Sequence, residues 1–274
     1  MADEEMTDLE FERFLALIYK VAGIRIPTSK KVMVTNRLRR RLRATGITTF
    51  AAYYSRLATP DGTAEMPAFL DAITTNETYF YRDMHHYEWL GGTFLPDFAR
   101  SSRPREKPLR IWSAACATGE EAYSIALKVA ARRPILSGRG VSILGTDLSG
   151  AALEAARAGS YDDRAVHLIP ADERNRSFDH DPIKRRWTLK PEVRALVTWR
   201  LHNLLRPIGV EPFDCIFIKN VLIYFDAESK QTVVRHLLAS LARGGYLVVG
   251  PTEGIFGMLG SLTKHKTWLY QNPA

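Results

Sequence analysis

Two adjacent carboxylates, Glu120 and Glu121, follow the run SAACATG where an apolar strand, LRIW, gives way to a helix, AYSIAL. In open α/β sheets a ligand lies beyond the carboxyl ends of the strands, against such a loop. Ala114, Ala115, Ala117 and Gly119 are small enough to let the backbone approach it. Yet the loop has one glycine where a dinucleotide fingerprint needs three. Two acids at a helix start repel a pyrophosphate and attract a cation. The next strand, VSILGTD, ends on Asp147, placed to accept ribose hydroxyls. The third ends at HNLL, putting Asn203 where an amide meets an adenine edge. The fourth ends at IKN, bringing Lys219 and Asn220 to the same rim. A nucleoside that carries positive charge and no phosphate fits this set, and S-adenosylmethionine is such a molecule.

These positions need a scaffold, and the chain alternates in a way that supplies one. From Leu109 onward the pattern reads strand, helix, strand, helix: LRIWSA, GEEAYSIALKVAAR, VSILGTD, SGAALEAARAG. It continues with TWRLHNLL and FDCIFIKNVLI as strands, AESKQTVVRHLLASLARGG as a helix, and YLVVGPTEG and KTWLYQ as strands. That rhythm predicts a doubly wound, mostly parallel sheet. The segment after Tyr161 breaks it with charge and proline. Residues 7–75 read as helices. Thr7 and Glu10 form a capping box, and Phe11, Phe14, Leu15 and Ile18 recur at helical spacing up to Gly23. Thr28 or Ser29 caps a second helix, Lys30–Thr45, with Val34, Leu38 and Leu42 as its apolar stripe and Gly46 as its stop. Shorter helical runs follow at Phe50–Leu57 and Glu65–Ile73.

The second helix carries Lys30, Lys31, Arg37, Arg39, Arg40, Arg41 and Arg43 and no acid. With a net charge of +8 over 274 residues, it calls for an acidic partner. Nucleic acid, an anionic membrane surface and an acidic protein face all satisfy that demand. The polar start MADEEMTDLEF is not an export signal, and no apolar run reaches the roughly 20 residues of a spanning helix. Two cysteines, Cys116 and Cys215, exclude a disulfide framework and a cysteine-based zinc site. A reduced, cytoplasmic protein is expected.

Three stretches resemble the CheR-type chemotaxis receptor methyltransferases: ITTNETYFYRD (73–83), WSAACATGEEAYSIA (112–126) and FDCIFIKNVLIYF (213–225). The resemblance implies a Rossmann-like α/β methyltransferase domain with a small helical N-terminal domain and a small β insertion. It divides the chain into 1–88, a helical domain with a basic substrate-facing helix; 89–108, a linker; and 109–274, the methyltransferase domain, with 161–198 as the insertion. It implies methyl transfer from S-adenosylmethionine to receptor glutamates, leaving S-adenosylhomocysteine, without a metal. Asn76, Thr78 and Arg82 then lie over the cofactor. Glu121, with Glu120 next to it, is the cofactor-binding acid, Asp147 the ribose acid, and Asn203 and Leu204 stand at the adenine end. Lys219 and Asn220 stand beside the cofactor, with Lys219 where the family often has arginine. Arg82 and Tyr224 are the catalytic candidates, as orienting groups near the transferring methyl. Arg39, Arg40 and Arg43 meet the substrate, a glutamate-rich receptor helix. The expected protein is a monomer, with no stable nucleic-acid partner and no membrane insertion. RSFDHDPIKRRW lacks the glycine-containing loop with which some family members grip a receptor's C-terminal peptide, so that tether is not expected. A nucleic-acid methyltransferase and a non-catalytic cofactor sensor are the rival readings.

Overall fold

The computed structural model describes residues 5–273. Met1–Glu4 of the polar start, and Ala274, lie outside them. The chain opens with α1 (Asp8–Ala22), whose capping box joins Thr7 and Glu10, and Gly23 ends it at φ +70°. A 3-10 turn over Thr28–Lys30 leads into α2 (Lys31–Thr45), so neither Thr28 nor Ser29 caps it by a side chain. α3 (Phe50–Leu57) and α4 (Met66–Ile73) complete the bundle. Its core joins Phe11, Phe14 and Ile18 to Val34, Leu38, Leu42, Phe50, Tyr53 and Phe69. Phe14 meets Phe50 and Tyr54 edge-on. Burying each such ring contributes about 1.5–3 kcal/mol.

Residues 89–108, expected as a linker, are largely helical. α5 (Met84–Trp89) runs through a π-helical stretch, Leu90–Phe94, into α6 (Leu95–Arg100). Leu90, Phe94, Leu95 and Phe98 are buried in the same core as the sheet, as are Phe80, Tyr81 and Tyr87. These apolar side chains recur at a helical interval that ends at the polar run SSRPREKP, residues 101–108.

The sheet domain follows with β1 (Leu109–Ala114), α7 (Glu120–Ala131), β2 (Val141–Asp147), α8 (Gly150–Ala158), β3 (Ser160–Tyr161), α9 (Ala171–Ser177), β4 (Phe178–Asp181), β5 (Arg186–Leu189), α10 (Pro191–Arg194), β6 (Val197–Leu201), β7 (Phe213–Ile218), α11 (Ala227–Ala239), β8 (Leu241–Val249), β9 (Thr263–Lys266) and β10 (Leu269–Gln271). The main sheet has the order β6-β2-β1-β7-β8-β10-β9, parallel except where β10 runs against its neighbours. The strand order reverses between β1 and β7, and the rim at that switch faces the helical bundle. The insertion is a second, antiparallel sheet of order β3-β5-β4.

Several strand ends differ from the sequence reading: β8 stops at Val249, short of GPTEG, and KTWLYQ is divided between β9 and β10. β6 stops at Leu201 and β7 at Ile218, so Asn203, Lys219 and Asn220 lie beyond the strands. β8 begins at Leu241, where LARGG reads as the end of a helix. Its register against β7 slips between Phe213 and Cys215, which takes up the glycines. Gly145 lets Trp199 lie across β2, since a Cβ there would come within 2.5 Å of the indole.

The bundle joins the sheet domain at the switch. Ile24 bridges to Phe225, and the Arg25 amide donates to the Tyr224 carbonyl at 2.8 Å. Asp226 caps α11 and also accepts from Tyr19 Oη and Arg25 Nε, each at 2.9 Å.

Candidate functional site

A cavity of about 390 Å³ opens at this junction. Its floor is the loop after β1. Ala115, Cys116 and Ala117 line it, with Ala115 and Ala117 at φ +60° and +49°. Ala114 stays in the sheet, and Gly119 serves packing: a Cβ there would meet Ala156 and Trp199 at 2.8 Å. Holding non-glycine residues in the left-handed region costs of order 1–3 kcal/mol each, and such strain gathers at ligand sites. Here Tyr81, Asp83, Ala115, Ala117 and Asn220 all carry it, on or beside the cavity wall.

The two glutamates part company. Glu121 lines the cavity, accepts from Ser113 Oγ at 2.8 Å and faces Lys219 Nζ at 3.6 Å. Burial raises its pKa, and Lys219 pulls the other way. Glu120 is buried away from the cavity and accepts from Thr118 Oγ at 2.7 Å.

Asp147 ends β2 with one oxygen on the Ala117 amide and the other on the Ser149 amide, at 2.8 and 2.9 Å. Burial raises its pKa against those two donors. Beyond β6, His202, Asn203 and Leu204 reach the wall. The Asn203 amide is already engaged: it donates to the Val21 carbonyl at 2.7 Å and accepts from the Leu205 amide at 3.0 Å. It ties α1 to this loop while facing the cavity. His202 is driven down to a pKa of about 4, by burial first and then by the Arg200 charge.

The fourth rim position is a charge cluster. Lys219, with a side chain 2% exposed, donates to the Arg82 carbonyl at 2.6 Å and pairs with Asp83 at 3.2 Å and Glu121. Burial and the nearby Lys219 charge take His86 down to about 2. Asn220 follows at φ +59°. Tyr224 stands at the mouth, 37% exposed, in a short 3-10 turn.

The roof is the stretch between bundle and sheet, which contributes Asn76, Thr78 and Arg82. Asn76 Nδ2 donates to Ser149 Oγ at 3.5 Å. Arg82 donates to the Glu77 carbonyl at 3.3 Å and lies over the Tyr79 ring. Three anchors hold the roof. Arg37 of α2 donates to the Ile73 and Thr74 carbonyls at 2.6 and 3.0 Å and to Thr75 Oγ at 3.2 Å. Arg164, between β3 and α9, pairs with Glu77. Lys219 holds the far end.

The cavity thus gathers Asn76, Thr78, Arg82, Glu121, Asp147, Asn203, Leu204, Lys219, Asn220 and Tyr224. Arg39, Arg40 and Arg43 lie outside it. Arg40 and Arg43 are exposed, and Arg39 is half-buried, donating to Asn36. Other members of the basic run are structural: Lys31 pairs with Asp8, and Arg41 pairs with buried Glu65, which also accepts from Tyr53. Sequence reading missed Arg37, Asp83 and Glu253. Only the helical phase of Arg37, one residue before Leu38, hinted that it differs from Arg40 and Arg43.

The donor set suits a cationic nucleoside. A half-buried carboxylate, Glu121, stands at the start of α7, a buried one, Asp147, at the end of β2, and Lys219 is paired with two acids before any ligand arrives. Among the described residues no helix is long and apolar enough to cross a membrane, and no group of three or more histidine, cysteine or carboxylate side chains is arranged to hold a metal.

Comparison with known proteins gives two family models. "CheR methyltransferase, all-alpha domain" matches residues 9–74, and "CheR methyltransferase, SAM binding domain" matches residues 76–269. Chemotaxis protein methyltransferase 1 of Pseudomonas aeruginosa is 36% identical over 251 residues, covering 90% of each chain. Chemotaxis protein methyltransferase Cher2 of Pseudomonas putida is 33% identical over 255 residues and 92% of each chain. The chemotaxis protein methyltransferase of Escherichia coli is 35% identical over 255 residues, 90% of this chain and 85% of that protein.

Proposed function

The chain belongs to the CheR methyltransferase family, and from that premise we propose that it methylates glutamate side chains of chemotaxis-type receptors. S-adenosylmethionine supplies the electrophilic methyl group when bound. The observation that carries the reading is the presence of half-buried Glu121 and buried Asp147 lining one cavity, under a roof contributed by residues 74–83. Glu121 faces the ligand's ammonium and Asp147 its ribose hydroxyls. Leu204 and Asn203 form the adenine end, while Asn76 and Thr78 cover the nucleoside. Lys219 and Asn220 flank the amino-acid end.

A substrate glutamate is ionised at neutral pH, with a reference pKa of about 4.3. None of the site residues has to move a proton. What the protein contributes is alignment at near-attack distance and exclusion of water as charge is lost along the reaction. Arg82, reaching into the cavity from the roof, orients the incoming carboxylate. Tyr224 walls the mouth and donates an orienting hydrogen bond. The bundle delivers the substrate: Arg40 and Arg43, with Arg39, face an acidic receptor helix. The division of labour is capture by the helical part, transfer by the sheet domain, in a cytoplasmic monomer.

The test is transfer of labelled methyl from S-adenosylmethionine into receptor methylation fragments, followed by mild base. Label released as methanol is the expected result, because carboxyl methyl esters hydrolyse under these conditions. Base-stable label, or label in RNA or DNA, replaces this reading with a nucleic-acid or N-methyl transferase. Binding of S-adenosylhomocysteine without any transfer makes the protein a sensor.

A further inference from the structure

Glu253 lies four residues past the end of β8, fully buried. Its carboxylate accepts from three consecutive backbone amides: Asn220, Val221 at 3.2 Å and Leu222 at 2.7 Å. Successive N–H groups that converge in this way form an anion-binding nest. Here the anion is the protein's own side chain. The loop it grips begins directly after Lys219 and runs into the 3-10 turn that carries Tyr224. Asn220, its first residue, is held at φ +59°, a conformation that persists only where the surroundings over-determine it.

The approach of the carboxylate is built in. Gly250 has no Cβ, and one added there would meet Glu253 Oε1 at 2.5 Å and Lys219 Cα at 3.2 Å. We infer that Glu253 is a positioning residue for methyl transfer: by gripping the amides of Asn220, Val221 and Leu222 it sets the pose of Lys219, Asn220 and Tyr224 around the cofactor. All three partners are donors, so only an acceptor on both oxygens satisfies them. Glutamine would turn an NH2 toward at least one N–H. The inference rests on the proposal that this loop flanks S-adenosylmethionine.

The experiment uses the full chain with Glu253→Gln, and with Gly250→Ala as a second variant that keeps the carboxylate but crowds Oε1. S-adenosylhomocysteine affinity, KM for S-adenosylmethionine and amide exchange at residues 220–222 are measured well below each variant's Tm. An unmet buried N–H is costly enough to change an equilibrium about tenfold or more. The expected result is faster exchange at these amides, with cofactor affinity about tenfold or more weaker in both variants and in whichever folds if only one does. A lower Tm with unchanged cofactor affinity, or a change confined to the KM for receptor, overturns it. If the wild-type protein itself binds no S-adenosylhomocysteine, the proposed function fails instead, while amide exchange still reports whether the carboxylate holds the loop.

Discussion

Lys219 Nζ lies 3.2 Å from Asp83 Oδ2 and 3.6 Å from Glu121 Oε2, so one buried cation serves an acid on the roof and an acid on the floor. Removing one partner of a buried pair leaves charge uncompensated, at about 3–5 kcal/mol. Lys219→Met is expected to lower stability on that scale and to raise the Glu121 pKa further, because Lys219 opposes the effect of burial there. Adding Glu121→Gln should recover part of the lost stability but none of the cofactor affinity. Denaturant unfolding of the two single variants and the double variant checks this. A double variant no more stable than Lys219→Met excludes the coupling.

Glu121 and Asp147 are both held above their ordinary values of 4.5 and 3.8, by burial first. Cofactor binding as proposed needs both ionised. Affinity for S-adenosylhomocysteine should therefore start to fall, as pH is lowered, before free carboxyls titrate. The two groups act on the free protein with the opposite sign. A raised folded pKa contributes stability present below the unfolded pKa and lost as pH rises through the folded one. The gain in Tm given by the ligand should thus shrink toward acid pH. His202, at about 4, stays neutral through this window. Calorimetry in which affinity starts to fall only where free carboxyls titrate removes the two acids from the binding account.

Asp147→Ala deletes the acceptor for the Ala117 and Ser149 amides as well as the proposed ribose contact. The lost charge-assisted hydrogen bond to the ligand is worth about 1.5–3 kcal/mol, so affinity should drop at least tenfold. Tyr224→Phe, by contrast, should bind S-adenosylhomocysteine as the wild type does and transfer methyl more slowly. Single-turnover rates at saturating cofactor separate the two effects. Equal rates would make Tyr224 a wall residue only.

The basic helix yields a contrast within one run of sequence. Arg40 and Arg43 are exposed, and reversing both to Glu should leave Tm and S-adenosylhomocysteine affinity nearly unchanged. Methylation of an acidic receptor helix should fall sharply and lose most of its salt dependence, since exposed charges are screened within about 8 Å at physiological ionic strength. Arg41→Glu should instead destabilise the bundle, because it sets a second acid against buried Glu65. Normal methylation by the Arg40/Arg43 reversal, with the wild-type salt profile, would assign capture to another surface.

The architecture was largely legible because its signals are local. β1, β2 and the helices after them are apolar runs punctuated by small residues, and the Thr7–Glu10 box marks its helix start within four residues. The misreadings arose where a distant partner decides. LARGG has the residues of a helix end, yet β7 draws it into the sheet from Leu241. HNLL leaves the strand after Leu201 because the Asn203 side chain turns back onto the Leu205 amide and onto α1. The ten proposed cavity residues could be named because they fall at strand ends and in recognisable runs. Arg37 and Glu253 could not, since each acts on backbone groups more than thirty residues away, which side-chain types do not reveal.

The roof over the cavity is also the covalent tether between the two halves of the molecule. Arg37 grips its near end and Lys219 its far end, while Glu77 is tied to Arg164 midway. A force on the helical bundle therefore loads the same span of chain that roofs the cavity. The bundle is fastened to the sheet domain at Ile24–Phe225 and Arg25–Asp226 as well, so the span 74–83 shares that load with a second seam.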